Sequence, residues 1–136
     1  MSKVKANKAI PKGTRLKHVI QDGYEFKSPL EAYTWNEFKK HNIPVQYEPQ
    51  HFELQPKFEY LGKRYRNIKY TPDFIGDGFV CECKGRMQRD FPLRWKMFLY
   101  NFKLKGLERK AYIVHNHKEV DSMIQEIKSR NNERIC

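Results

Sequence analysis

The chain has 136 residues, 39% of them hydrophobic and 14% aromatic, which suffices for one folded domain with a modest core. Its net charge of +11 favours a polyanionic partner, with nucleic acid as the first candidate. No long apolar run, signal-peptide segment or lipidation pattern occurs, so the sequence argues against a membrane protein and predicts a soluble, cytoplasmic one. Cys81, Cys83 and Cys136 are predicted to be reduced thiols, because an odd count does not make a disulfide framework.

The N-terminal segment is basic and lacks an apolar period. It carries six lysine or arginine residues and no acid before Ile20. The composition predicts a flexible arm at residues 1–22, followed by a single domain at residues 23–136. Lys12, Arg15 and Lys17 are candidate contacts to DNA phosphates, although a mere solubility tail would have the same composition.

A first helix is predicted from about Pro29 to His41. Ser28 is its expected N-cap, proline suits the first helical position, and Glu31 completes a capping box. An extended segment around Val45 to Tyr47 follows the helix.

The next stretch is rich in β-forming residues. Strands are predicted from Phe52 to Tyr60 and from Tyr65 to Tyr70, around a turn at residues 61–64. Pro56 favours an edge strand or a bulge.

Three further elements are expected in the C-terminal third. They are a helix that opens at Asp90 and ends near Gly106, a buried strand at Ala111 to Val114, and an amphipathic helix at Val120 to Arg130. The order of helix, strands, helix, strand and helix predicts an α/β fold.

The most informative pattern lies between Tyr70 and Gly85. Asp73 follows Pro72 at the end of one predicted strand, and a glycine-rich turn at residues 76–78 can fold it back toward the next. Alternation along that next strand places Val80, Glu82 and Lys84 on one face, with Phe79 and the two cysteines on the other. Two carboxylates and one ammonium group are therefore expected to converge.

This set of side chains suits metal-dependent phosphodiester hydrolysis. Asp73 and Glu82 repel each other unless a hard divalent cation such as Mg²⁺ binds between them, and the carbonyl of Cys83 is a further candidate ligand. Lys84 can orient a water molecule or offset developing negative charge. A simpler interpretation also remains open, in which Glu82 and Lys84 form only a surface ion pair.

The motif Pro72-Asp73 with Glu82-Cys83-Lys84 resembles that of the PD-(D/E)XK nuclease superfamily. The segments Ser28–Glu31, Pro44–Glu48 and Tyr70–Gly85 are also similar to phage Holliday-junction resolvases of the endonuclease I type. The resemblance implies a restriction-endonuclease-like core, in which a mixed β-sheet is flanked by helices, and a homodimer. It also implies Mg²⁺ as cofactor, with Mn²⁺ as a substitute, and a role for Glu31 as an additional metal-binding acid.

A second basic cluster follows the predicted active strand. Charges beside a metal site can hold the backbone of the strand being cut without reading its sequence. The candidate DNA-binding residues in this cluster are Arg86, Arg89, Arg94 and Lys96.

The sequence therefore predicts a Mg²⁺-dependent DNA endonuclease of phage type, selective for branched DNA such as four-way junctions. Asp73, Glu82, Lys84 and Glu31 are its predicted catalytic residues. Two alternatives fit the same residues: a general nicking or end-processing nuclease, and a nucleic-acid-binding module without activity.

Overall fold

The computed structural model describes residues 17–84, 89–107 and 109–135, including the side chains of all of them except Arg134 and Ile135. These residues form ten strands and three helices, which confirms the predicted α/β class. The described residues group into two compact units, one from residues 17–42 with 115–135 and the other from those between 43 and 114. We call these the terminal unit and the central unit.

The terminal unit contains a hairpin and two helices. Strands β1 (Val19–Gln21) and β2 (Tyr24–Phe26) pair antiparallel, and helices α1 (Pro29–Lys40) and α3 (His117–Ile135) pack against each other. Its buried side chains include Phe26 and Phe38 together with Ile124 of α3.

Two boundaries in this unit differ from the prediction. The arm expected at residues 1–22 ends in strand β1, because Asp22 and Gly23, both with positive φ, make a two-residue turn to β2. Helix α3 is longer at both ends than the predicted span of Val120 to Arg130. Residues 1–16 of the predicted arm lie outside the described residues.

The central unit is built on a four-stranded mixed sheet. Its strands are β3 (Val45–Tyr47), β8 (Phe74–Gly76), β9 (Phe79–Cys83) and β10 (Lys110–Val114), in the order β10-β9-β8-β3. Strand β10 is parallel to β9, whereas the β9–β8 and β8–β3 pairs are antiparallel. All five residues of β9 are buried, so both faces of this strand are shielded from solvent.

A helix and a β-ribbon cover one face of this central strand. Strands β4 (Phe52–Gln55) and β7 (Ile68–Tyr70) form the ribbon, and helix α2 (Phe91–Leu104) packs against both. Leu54, Val80 and Phe98 lie in the resulting core. Val80 of β9 thus packs in the same core as Phe98 of α2.

The predicted strands from Phe52 to Tyr60 and from Tyr65 to Tyr70 are each divided in the structure. The first breaks at Pro56, and strand β5 (Phe58–Tyr60) pairs with β6 (Lys63–Tyr65) as a separate hairpin. Proline has no N–H to donate to a ladder, which explains the interruption. The turn of this hairpin is two residues long rather than the four predicted, and the second predicted strand is split between β6 and β7. None of the helices in the described residues is long and apolar enough to span a bilayer.

Candidate active site

Asp73 lies immediately before β8, and Glu82 lies in β9, the two strands of one hairpin. Phe74 is the cross-strand partner of Cys81, and the same register carried one step further sets Asp73 opposite Glu82. Asp73 is only 5% exposed to solvent and Glu82 only 4%. Two acids are thus held close together in the interior, where ionised carboxylates are expensive to desolvate.

The backbone fixes Asp73 on both sides of its strand. The N–H of Cys83 donates to Asp73 Oδ2 at 2.8 Å, and the Asp73 carbonyl accepts from the N–H of Glu48 at 2.8 Å. These contacts position the carboxylate relative to both β9 and the end of β3.

Side chains hold Glu82. The hydroxyl of Tyr70 donates to Glu82 Oε1, and Lys84 Nζ lies 3.2 Å from Oε2. Burial raises the pKa of the Tyr70 phenol, and the negative charge of Glu82 raises it further, so the hydroxyl stays protonated as a donor.

Lys84 lies immediately after β9 and is oriented by three contacts. Its N–H donates to the Val114 carbonyl at 2.8 Å, and its ammonium nitrogen lies 4.4 Å from the centre of the Phe91 ring. The third contact is the ion pair with Glu82. With a side chain 17% exposed, Lys84 is the member of the group nearest to solvent.

The charges of this group do not balance among themselves. Asp73 and Glu82 bring two negative charges when ionised and Lys84 brings one positive charge, which leaves a net negative site suited to a cation. Within the described ranges, no cluster of three or more His, Cys, Asp or Glu residues is placed to hold a metal. Two carboxylates nevertheless fit Mg²⁺, which binds one or two of them and keeps waters or phosphate oxygens as its other ligands.

Cys83 contributes to this site through its backbone. Its N–H binds Asp73, whereas its thiol belongs to a buried side chain. The use of its carbonyl as a metal ligand stays a prediction.

Glu31 has a structural role in the terminal unit. Ser28 Oγ accepts from the Glu31 N–H at 3.2 Å, and Glu31 Oε1 accepts from the N–H of Lys27 at 3.0 Å. The N-cap at Ser28 is therefore confirmed, with Glu31 closing on Lys27 rather than on the cap residue itself. The predicted metal role of Glu31 is not decided by these contacts.

The predicted DNA-binding residues fall into two groups. Lys12, Arg15 and Arg86 lie outside the described residues, whereas the others are all exposed. The side chain of Arg94 makes two contacts within the chain: an ion pair with Asp90 at 3.0 Å and a hydrogen bond to the Lys69 carbonyl at 3.3 Å. The exposed ones are Lys17, Arg89, Arg94 and Lys96.

Sequence reasoning assigned no role to Tyr70 or Phe91, although they hold Glu82 and Lys84. The position of Tyr70 at the end of a strand just before Pro72-Asp73 was a usable signal, because it sets a hydroxyl beside the predicted acids. No local pattern connects Phe91 with Lys84.

Comparison with known proteins gives a family but no activity. Residues 12–120, more than three quarters of the chain, match the family model described as "Protein of unknown function (DUF1064)". No curated protein matches the chain, and no solved structure does. The matched residues include the whole β8–β9 hairpin and Lys84, and the chain belongs to the DUF1064 family.

Proposed function

We propose that this protein is a divalent-metal-dependent DNA endonuclease with a restriction-endonuclease-like core. The observation that carries the proposal is the burial of Asp73, just before β8, and of Glu82, in the paired strand β9, with the Lys84 ammonium beside Glu82. A buried, net negative set of this kind is costly for a protein that uses it only for folding.

In the proposed reaction, Asp73 and Glu82 would hold the cation through their carboxylate oxygens. Bound Mg²⁺ would supply a Lewis acid that polarises the phosphoryl group and acidifies a water molecule. Tyr70 holds Glu82 in place, while Lys84, oriented by Glu82 and Phe91, offsets negative charge that develops on the phosphate. Glu31 is an auxiliary ligand on the basis of the resemblance alone.

The proposed substrate is DNA, and branched DNA in particular. The net charge of +11 and the exposed basic residues Arg89 and Lys96, near the start of α2, support a phosphate backbone as partner. The resemblance to junction resolvases supports a homodimer, in which two-fold symmetry would match the two equivalent strands of a four-way junction. Mg²⁺ is the proposed cofactor, with Mn²⁺ able to replace it.

Cleavage of labelled four-way-junction DNA and of matched linear duplex tests this proposal. We expect the wild type to cut the junction in Mg²⁺ and to be inactive in chelator. Asp73→Asn and Lys84→Ala should lose cleavage by about 10²–10³-fold, the usual effect of removing a group that stabilises transition-state charge. Asp77→Asn is the matched control, because Asp77 is an exposed acid at the turn of the same hairpin.

Two other results would replace parts of the proposal. Equal cutting of linear and branched DNA would keep the nuclease and remove the junction preference, in favour of a nicking or end-processing enzyme. Tight binding to DNA without cutting in Mg²⁺ or Mn²⁺ would favour a binding module. The hydrogen bonds that Tyr70 and Cys83 make to the two acids are compatible with that second role.

A further inference from the structure

The β5–β6 hairpin exposes large apolar side chains. Tyr60 is 62% exposed, and Leu61, at the turn, is 89% exposed. Within the described residues, β5 and β6 pair only with each other and not with the four-stranded sheet. An isolated two-stranded ribbon gains little stability alone, so exposed apolar groups along it need another explanation.

One face of the hairpin combines aromatic rings with a lysine. The pairs Phe58–Tyr65 and Tyr60–Lys63 are two residues apart along the strands and therefore share a face. The rings of Phe58 and Tyr65 are stacked, with centroids 4.9 Å apart and planes 9° apart. The ammonium nitrogen of Lys63 lies 5.3 Å from the centre of the Tyr65 ring.

The charge of the hairpin is strongly positive. Residues 57–66 contain four basic side chains and a single acid, Glu59. They also line a shallow depression of about 580 Å³, which combines Phe58 and Tyr65 with the charged residues Lys57, Glu59, Arg64 and Arg66. Aromatic rings set among basic groups are the combination that single-stranded nucleic acid binds, through stacking of bases and neutralisation of phosphates.

The turn carries a residue that its backbone disfavours. Leu61 has φ +50° and Gly62 has φ +79°, a pair of left-handed conformations for which Asn-Gly is the favoured sequence. Leucine at the first position therefore opposes the turn and adds an apolar tip. Neither effect helps the hairpin fold, which points to a contact made outside the chain.

We propose that residues 57–66 form a wedge that binds DNA at a branch point, where bases are unpaired or easily unstacked. The face formed by Phe58, Tyr60 and Tyr65 stacks on exposed bases, and Leu61 packs against the last base pair. The basic side chains of the hairpin contact the flanking phosphates. A second copy of the chain is a poorer occupant, because two hairpins with this excess of positive charge repel each other.

This inference rests on the proposed function for its choice of DNA as partner, so its test is made without catalysis. In chelator, binding is measured to a junction that carries 2-aminopurine at the branch point and to the same strand in a full duplex. We expect the wild type to bind the junction more tightly and to change the fluorescence at the branch. Leu61→Asn should weaken junction binding about five- to tenfold and reduce the fluorescence change, as loss of a base contact does.

The substitution is chosen so that misfolding does not explain a loss. Asparagine favours the positive φ at position 61, so Leu61→Asn should be at least as stable as the wild type toward urea. Leu104→Gln is the matched control, because Leu104 is a leucine 65% exposed at the end of α2. Arg64→Gln should lower the dependence of log K on log salt by about 0.7–0.9, the value of one phosphate contact.

Several results would overturn the wedge. Junction binding by Leu61→Asn equal to that of the wild type would do so, as would equal weakening on duplex and junction. A change in sedimentation mass without a change in DNA binding would assign the hairpin to self-association instead. If Leu61→Asn binds the junction weakly while the wild type cuts no DNA in Mg²⁺, the wedge is supported and the proposed nuclease activity is wrong. If Leu61→Asn binds the junction as tightly as the wild type and the wild type cuts DNA in Mg²⁺, only the wedge is wrong.

Discussion

Two buried glutamates, one at the start of α1 and one in β9, have opposite surroundings. Glu31 is 5% exposed and Glu82 is 4% exposed. Glu31 accepts from a backbone N–H at a helix N-terminus, where the helix dipole also favours negative charge. The hydrogen-bond and ion-pair partners described for Glu82 are the side chains of Tyr70 and Lys84, next to a second carboxylate at Asp73.

The difference separates two reasons for burying an acid. At α1 the carboxylate accepts from the N–H of Lys27, just before the N-cap, so local folding explains it. In β9 the carboxylate adds repulsion to a neighbouring acid and needs a tyrosine and a lysine to hold it. The second arrangement is the one expected of a site for a cation or a reaction.

The largest effect expected from this comparison is on cleavage. Glu82→Gln should lower the rate by about 10²–10³-fold, because it removes a metal-binding charge. Glu31→Gln keeps an oxygen that can accept from Lys27 and should lower the rate less, by about tenfold, as loss of an outlying support to a metal site does. Single-turnover cleavage of the junction measures the rates of both variants. Equal losses of rate would contradict the distinction between the two glutamates.

The next effect is on folding stability. Tyr70→Phe removes the donor to buried Glu82 and should cost about 1–3 kcal/mol in the free energy of unfolding. Ser28→Ala removes the N-cap acceptor of α1 and should cost about 1 kcal/mol. Urea denaturation gives both values. Only Tyr70→Phe is also expected to slow cleavage, and a slowing by Ser28→Ala of similar size would contradict our separation of the two acids.

Cation binding should distinguish the two acids without any activity measurement. At ten times its dissociation constant, Mg²⁺ stabilises a folded protein by about 1.4 kcal/mol. We expect this gain, seen as a rise in Tm, in the wild type and in Asp77→Asn. Glu82→Gln should lose it, and Glu31→Gln should retain most of it. An unchanged Tm in the wild type over millimolar Mg²⁺ and Mn²⁺ would count against the metal site.

The smallest effect concerns an exposed pair in the terminal unit. The Tyr33 hydroxyl donates to Asp121 Oδ1 at 2.7 Å, and this bond raises the pKa of Tyr33 from 10.0 to about 12. Since the folded state then holds the proton more tightly than the unfolded state, the stabilisation is complete below pH 10 and disappears as pH rises to 12. Tyr33→Phe should be slightly less stable at pH 8, and its urea midpoint should approach that of the wild type above pH 10. A difference between the two urea midpoints that grows above pH 10 would contradict the predicted direction of this pH dependence.

Short-range patterns predicted much of the fold and the acidic pair. Ser28, Pro29 and Glu31 lie within four residues of each other and mark the start of a helix. Alternation along Phe79–Cys83 determines which side chains share a face of the strand. Asp22-Gly23 was an equally local hairpin signal. It went unused because the basic composition of residues 1–20 favoured a flexible arm.

What the sequence did not reveal depends on distance along the chain. The Tyr70–Glu82 bond spans 12 residues, and the placement of Lys84 over Phe91 depends on how α2 returns to the sheet. Periodicity says which face a residue occupies but not which side chain meets it there. Pro56 indicated an irregular strand, but neither the end of β4 before it nor the pairing of β5 with β6 follows from local sequence, since strand pairing depends on which segments meet in the fold.

The two neighbouring thiols of β9 can report how often this strand opens to solvent. Cys81 and Cys83 are both buried and are not joined in a disulfide, and burial, aided by a hydrogen bond between them, raises the pKa of the Cys81 thiol. A protonated, enclosed sulfur does not react with alkylating reagents, since the thiolate is the nucleophile. In a Cys136→Ser background, the rate of alkylation would therefore time how often the strand that carries Glu82 separates from its neighbours and opens to solvent.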